Sequence, residues 1–189
     1  MSKIYELKED SKNYSVFYEV YDSLDNIFIK KYWGWQTIDL ENYQPVKLRL
    51  YKSDDGKKNF QMDIGIESSL IILSERAINV LKDILDTTGQ IIPIDTESKR
   101  KKFYGFYPNK NVYNSSVINF NKSKWKKVEK EKIMYKTILN SDSLKEDPLF
   151  VLSDDPMKVY VTEKFKEIVE NNNLKGLDFS VVLSSDTAN

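Results

Sequence analysis

The chain contains no histidine and no cysteine. Their absence removes the imidazole base, the thiolate nucleophile, Ser-His-Asp and Cys-His sites, and the usual zinc sites. It also removes any disulfide framework. Glycine and proline are sparse, at 6 and 5 of 189 residues, which argues against low-complexity linkers. No apolar run approaches the ~20 residues that span a bilayer. The opening Met1-Ser2-Lys3-Ile4-Tyr5-Glu6 has no apolar signal core, so a cytoplasmic protein without a membrane partner is expected. Net charge is missing too: 29 basic and 29 acidic residues cancel. Any electrostatic preference for a partner must therefore come from local patches.

What is present is globular, at 40% hydrophobic and 13% aromatic with 12 tyrosines. An α+β fold is expected, mainly antiparallel sheet regions with two principal amphipathic helices at about 74–87 and 162–173. The chain reads as one domain over 1–189, with room for two lobes. These would be a β-rich part, 1–66, and an α+β part, 67–189, holding two strand-helix-strand cassettes.

Residues 1–13 are polar and read as a loose arm. Tyr14 to Trp35 reads as a hairpin around Asp22-Ser23-Leu24-Asp25-Asn26, and Val46 to Tyr51 alternates at the strand period. Ser53-Asp54-Asp55-Gly56 supplies a turn. In the first cassette Ser74 is an N-cap. Ala77, Ile78, Leu81, Ile84 and Leu85 share one helical face, and Gly89 suits a left-handed stop. In the second, Thr162 stands at the cap, Phe165, Ile168 and Val169 lie on the apolar side, and Gly176 is the stop.

The chemistry-bearing stretches are few. Phe103-Tyr104-Gly105-Phe106-Tyr107 beside Lys99-Arg100-Lys101-Lys102 partly matches an RNA-recognition strand, and Lys122 to Lys132 continues the basic character. Half-buried strand aromatics and a solvated basic face explain the same residues. Trp33-Gly34-Trp35 places two indoles on one strand face, as core packing or as an exposed anchor. The stretch from Asp142 through Glu146, Asp147 and Asp154 to Asp155 carries five acids, with Lys145 its one base. It could oppose a basic partner or simply be a solvated loop, anchored by Pro148-Leu149-Phe150-Val151-Leu152. No set of residues for catalysis, a cofactor or a metal stands out.

Several segments carry a family likeness: Asp63-Ile64-Gly65, Ser69-Leu70-Ile71-Ile72-Leu73-Ser74-Glu75-Arg76-Ala77, Pro93-Ile94, Leu149-Phe150, Val159-Tyr160-Val161-Thr162-Glu163 and Gly176-Leu177-Asp178-Phe179. Their order over about residues 60–183 resembles immunity protein family eleven of bacterial polymorphic toxin systems. Val151 departs from the pattern, which would place an arginine after the Leu-Phe pair. The resemblance implies a non-enzymatic, cytoplasmic inhibitor that binds a cognate toxin encoded next door and blocks its active site or substrate path. On that reading the candidate contact residues are Asp142, Glu146, Asp147, Asp154 and Asp155 for steering, with Trp33 and Trp35 as anchors. The alternative is a nucleic-acid-binding module using 99–132, and a His-free enzyme built on carboxylates or tyrosine is the third reading. The oligomeric state is left open.

Overall fold

The computed structural model describes residues 3–24, 27–32, 34–52, 61–99, 101–128, 131–140, 144 and 147–183. Strands β1 (Ile4–Glu6), β2 (Lys8–Glu9) and β3 (Val16–Glu19) precede helix α1 (Phe28–Lys31). β4 (Val46–Tyr51), β5 (Ile64–Glu67) and β6 (Leu70–Ser74) lead into α2 (Glu75–Thr88). β7 (Gln90–Ile92), β8 (Ile94–Thr96), β9 (Phe103–Tyr107) and β10 (Val112–Tyr113) follow, then a 3₁₀ turn at Ser115–Val117. β11 (Lys124–Val128), β12 (Glu131–Lys136), β13 (Leu149–Leu152) and β14 (Asp155–Thr162) lead into α3 (Glu163–Asn171), and β15 (Leu177–Asp178) and β16 (Val182–Leu183) close the described chain. The fold is α+β, as the mixture of strand-period and helix-period segments predicts.

Two sheets organise the core. One has the order β10-β13-β14-β1-β16, the other β5-β6-β9-β7. Each is apolar on both faces, so its strands read as continuous hydrophobic runs rather than alternations. Leu149, Val151, Val159 and Val161 of the first sheet meet Ile64, Ile71, Leu73 and Phe106 of the second in a shared core. Ala77, Leu81 and Leu85 of α2, with Phe165 and Val169 of α3, complete that core. The far face of the first sheet, Ile4, Phe150, Leu152 and Tyr160, packs against Val117, Ile118 and Leu139. The far face of the second, Leu70, Ile72, Phe103 and Tyr107, is covered by Phe17, Leu48 and Leu50 of the small sheet β3-β4-β8 and by Phe28 of α1. At about 25 cal/mol per Å² of apolar surface, these layers supply the main folding force.

The N-terminal arm is a correction. Ile4–Glu6 lies inside the five-stranded sheet, paired with β14 on one side and β16 on the other. Ile4 and Tyr5 are both buried, one on each face of the sheet. Two apolar residues among polar neighbours suffice because the strand is only three residues long, Ile4-Tyr5-Glu6.

The second arm of the expected Tyr14–Trp35 hairpin is also corrected, since Phe28–Lys31 is helical. The Glu19 carboxylate accepts the Phe28 N–H at 2.9 and 3.2 Å. Phe28 and Tyr32, four residues apart, pack with ring centroids 5.0 Å apart, a pairing that helical spacing allows. Past the helix, Gly34 and Trp35 take φ of 100° and 61°. The chain therefore reverses there, and Gly34-Trp35 is not strand. Asp25, Asn26 and the Ser53-Asp54-Asp55-Gly56 turn lie outside the described residues.

The helices run close to their expected bounds, but their ends differ. Ser74 Oγ accepts the Ala77 N–H at 3.2 Å, as a cap should. Thr162 makes no side-chain cap bond. Gly89 is extended rather than left-handed, with φ −172°. After α3 the left-handed turn falls on Asn173, φ 53°, three residues before Gly176.

A basic aromatic ribbon as candidate functional site

Among the described residues, strands β11 and β12 pair only with each other. A two-stranded ribbon alone is marginal in water, so its base must be held. Ser123 Oγ accepts the Ile138 N–H at 2.9 Å, and Asn119 donates its N–H to the Ile138 carbonyl at 2.8 Å. Trp125 donates its indole N–H to the Phe120 carbonyl at 3.3 Å and meets that ring edge-on at 5.8 Å. Met134 packs against the core under the five-stranded sheet.

Between 122 and 136 the sequence holds seven lysines and two glutamates. Lys124, Lys126, Lys127 and Lys136 are exposed. Among the described residues none of these four forms an ion pair, whereas Lys101, Lys158 and Lys166 all do. The register steps from Lys124↔Lys136 to Trp125↔Met134, so Tyr135 is the extra residue of a bulge. Bulges re-aim side chains, and Tyr135 is 66% exposed.

The residues singled out in the sequence fare differently. Trp33, Asp142 and Glu146 lie outside the described residues. Trp35 is half-buried and stacks on Tyr107 at 5.5 Å, bridging two cores. The apolar insert anchors the acidic stretch to the core as expected, but as a fully buried strand, Leu149–Leu152, so the stretch is not one continuous loop. Asp147 and Asp154 lie on either side of that strand, which itself spans about 13 Å. Asp147 accepts the Tyr113 hydroxyl at 2.5 Å. Asp155 is 9% exposed, accepts the Tyr160 hydroxyl at 2.9 Å and pairs with Lys158 at 3.0 Å. Asp155 is therefore structural, and Asp154 is the exposed carboxylate of the pair.

The 99–132 segment divides in the same way. Phe103, Phe106 and Tyr107 are buried on β9 and cannot stack on bases. Lys101 is committed to the Asp63 carboxylate and the Met62 carbonyl, and Lys102 lies 4.8 Å over the Tyr104 ring. Arg100 lies outside the described residues. What remains available is the ribbon, which the sequence marks only by alternating Lys with aromatics.

Two other surfaces compete. The outer face of β3-β4-β8 exposes Tyr18 and Tyr51, but Arg49 between them already bonds the Leu48 carbonyl and faces Asp95 at 3.8 Å. An open groove of about 550 Å³ beside α3 includes Asp10, Lys166, Glu170 and Asp178. Its carboxylates are engaged: Asp10 holds Asn13, Asp178 holds Ser180, and Glu170 faces Lys166. Among the described residues no three acidic groups converge in a metal-holding arrangement, and no described helix is long and apolar enough to cross a membrane. Comparison with protein-family models and with curated proteins yields no match.

Proposed function

We propose that this chain is an immunity protein: a cytoplasmic, non-enzymatic inhibitor that binds a cognate toxin encoded beside it and blocks the toxin's active site or substrate path. One structural observation carries the reading, namely the ribbon with its exposed Tyr135 and four exposed lysines that, among the described residues, form no ion pair, on a scaffold built on three cores. Tyrosine supplies large contact area at low entropic cost, and rim lysines speed capture of a complementary surface. The resemblance over residues 60–183 supports the same reading. Its segments fall largely on scaffold: Asp63 and Ser74 are buried, and Leu149, Phe150, Val159 and Tyr160 are core. Contact with a partner then belongs to surfaces outside those segments.

Co-expression with the product of the adjacent gene tests the proposal. The neighbour should arrest growth alone, be tolerated with this chain, and co-elute with it on gel filtration. A harmless neighbour, or no stable complex, would sink the reading.

A further inference from the structure

We infer that the β11–β12 ribbon is the docking element and that the partner surface it takes is a carboxylate-rich patch on a folded protein. The inference rests on the partner-binding function proposed above and names its contact chemistry.

Three observations converge on an anionic partner. Lys124, Lys126, Lys127 and Lys136 are exposed and, among the described residues, without an ion-pair partner. The register sets Lys124 directly opposite Lys136, and like charges directly opposite destabilise a strand pair. A carboxylate lying between them relieves that repulsion. The bulge leaves Tyr135 outside the ladder and 66% exposed, an apolar ring with a hydroxyl tip among the ammonium groups. Trp125, by contrast, is tied to Phe120 and secures the ribbon's base.

A folded protein fits better than a phosphate backbone because the surroundings are of mixed sign. The ribbon's Met134 shares its core with Tyr113, Phe150 and Leu152 of the β10–β13 pair. That pair carries Asp147 at one end, bonded to Tyr113, and exposed Asp154 just past the other. A polyanion presents negative charge at every step, and one that extended from the ribbon onto that pair would meet those carboxylates as well. A protein can set acids against the lysines and bases against Asp147 and Asp154.

The test uses the full chain and the purified product of the adjacent gene, with affinity and rates measured between about 50 and 500 mM salt. The K126E/K127E/K136E variant should slow association about tenfold or more and flatten its salt dependence. Y135A should speed dissociation about tenfold with little change in association. Unchanged thermal midpoints establish that both variants fold, and a K126Q/K127Q/K136Q variant provides a milder substitution with an intermediate effect. If the reversal variant binds the neighbour like wild type, the ribbon inference falls while the immunity function stands. If wild type ignores the neighbour but binds a DNA or RNA duplex through these lysines, both are overturned in favour of a nucleic-acid element. Binding to neither overturns both.

Discussion

Lys101 Nζ sits 3.0 Å from one carboxylate oxygen of the buried Asp63, whose other oxygen accepts from Arg76 at 3.1 Å. Ser74 Oγ and the Lys175 N–H complete the set at 3.1 and 3.2 Å. Asp63 thus ties β5 to the start of α2, to the entry of β9 and to the turn after α3. Arg76 also donates to the Asn172 carbonyl at 2.5 Å, joining the two helices' ends. One carboxylate links both strand-helix-strand cassettes.

Removing that carboxylate should be costly. Asp63→Ala leaves the buried Ser74 hydroxyl without its acceptor, while the partly exposed Lys101 keeps the Met62 carbonyl, so the loss should be about 1–3 kcal/mol. Arg76→Ala, at a half-exposed partner, should cost about 1 kcal/mol. Burial by itself would raise the Asp63 carboxyl, but the Lys101 hydrogen bond and the Lys175 N–H outweigh it and hold the group below its ordinary value. The folded state therefore releases this proton more readily than the unfolded one. Its contribution is present above the unfolded pKa and fades as pH falls through the lower, folded value. Urea unfolding at neutral and strongly acidic pH should show the gap between wild type and Asp63→Asn shrinking in acid.

The two helix starts look alike in sequence and differ in the fold, which gives a paired prediction. Ser74 Oγ accepts from Ala77 N–H and donates to Asp63, so Ser74→Ala should cost about 1–2 kcal/mol. Thr162 makes no cap bond. The Glu163 N–H instead reaches the Lys3 carbonyl at 3.0 Å, a backbone cap supplied from beside β1. Thr162→Val should change stability by less than about 0.5 kcal/mol. Equal losses in chemical denaturation would refute this distinction.

That contrast shows where the sequence is legible. The faces of α2 and α3 follow from their 3.6-residue period, β4 from its apolar-polar alternation and β9 from its aromatic run. The central place of β1 is not local information, because Ile4 and Tyr5 gain meaning only once β14 and β16 flank them. α1 reads as strand in sequence because Phe28, Ile29 and Tyr32 suit one until the Glu19 carboxylate receives the Phe28 N–H. At the candidate site the acidic run 142–155 drew notice by composition, yet Leu149–Leu152 divides it. The ribbon was visible as a basic stretch, but the bulge that turns out Tyr135 depends on register.

Gly176 should be among the least replaceable positions. Its φ is 113°, and a Cβ there would run into the Ile64 carbonyl. Both effects oppose any side chain, so Gly176→Ala should lose more than about 2 kcal/mol. Gly34 provides the control, with φ 100° but open space around it, and Gly34→Ala should lose about 1 kcal/mol from conformation alone. Thermal melts of the two variants side by side would separate clash from strain.

Glu67 behaves opposite to Asp63. Burial first, then the neighbouring charges of Glu19 and Glu9, push its carboxyl up to about 7. The folded state therefore holds this proton at pH values where the unfolded chain has released it. Stability from this group is full below the unfolded pKa and declines as pH rises toward 7, after which the penalty is constant. The group is partly exposed, so solvent screening reduces the penalty to about 1–2 kcal/mol. Glu67→Gln removes the charge and keeps the shape. It should raise the thermal midpoint at pH 8, leave it nearly unchanged at pH 4, and flatten the decline between. An equal gain at both pH values would show that packing, rather than ionisation, sets the effect.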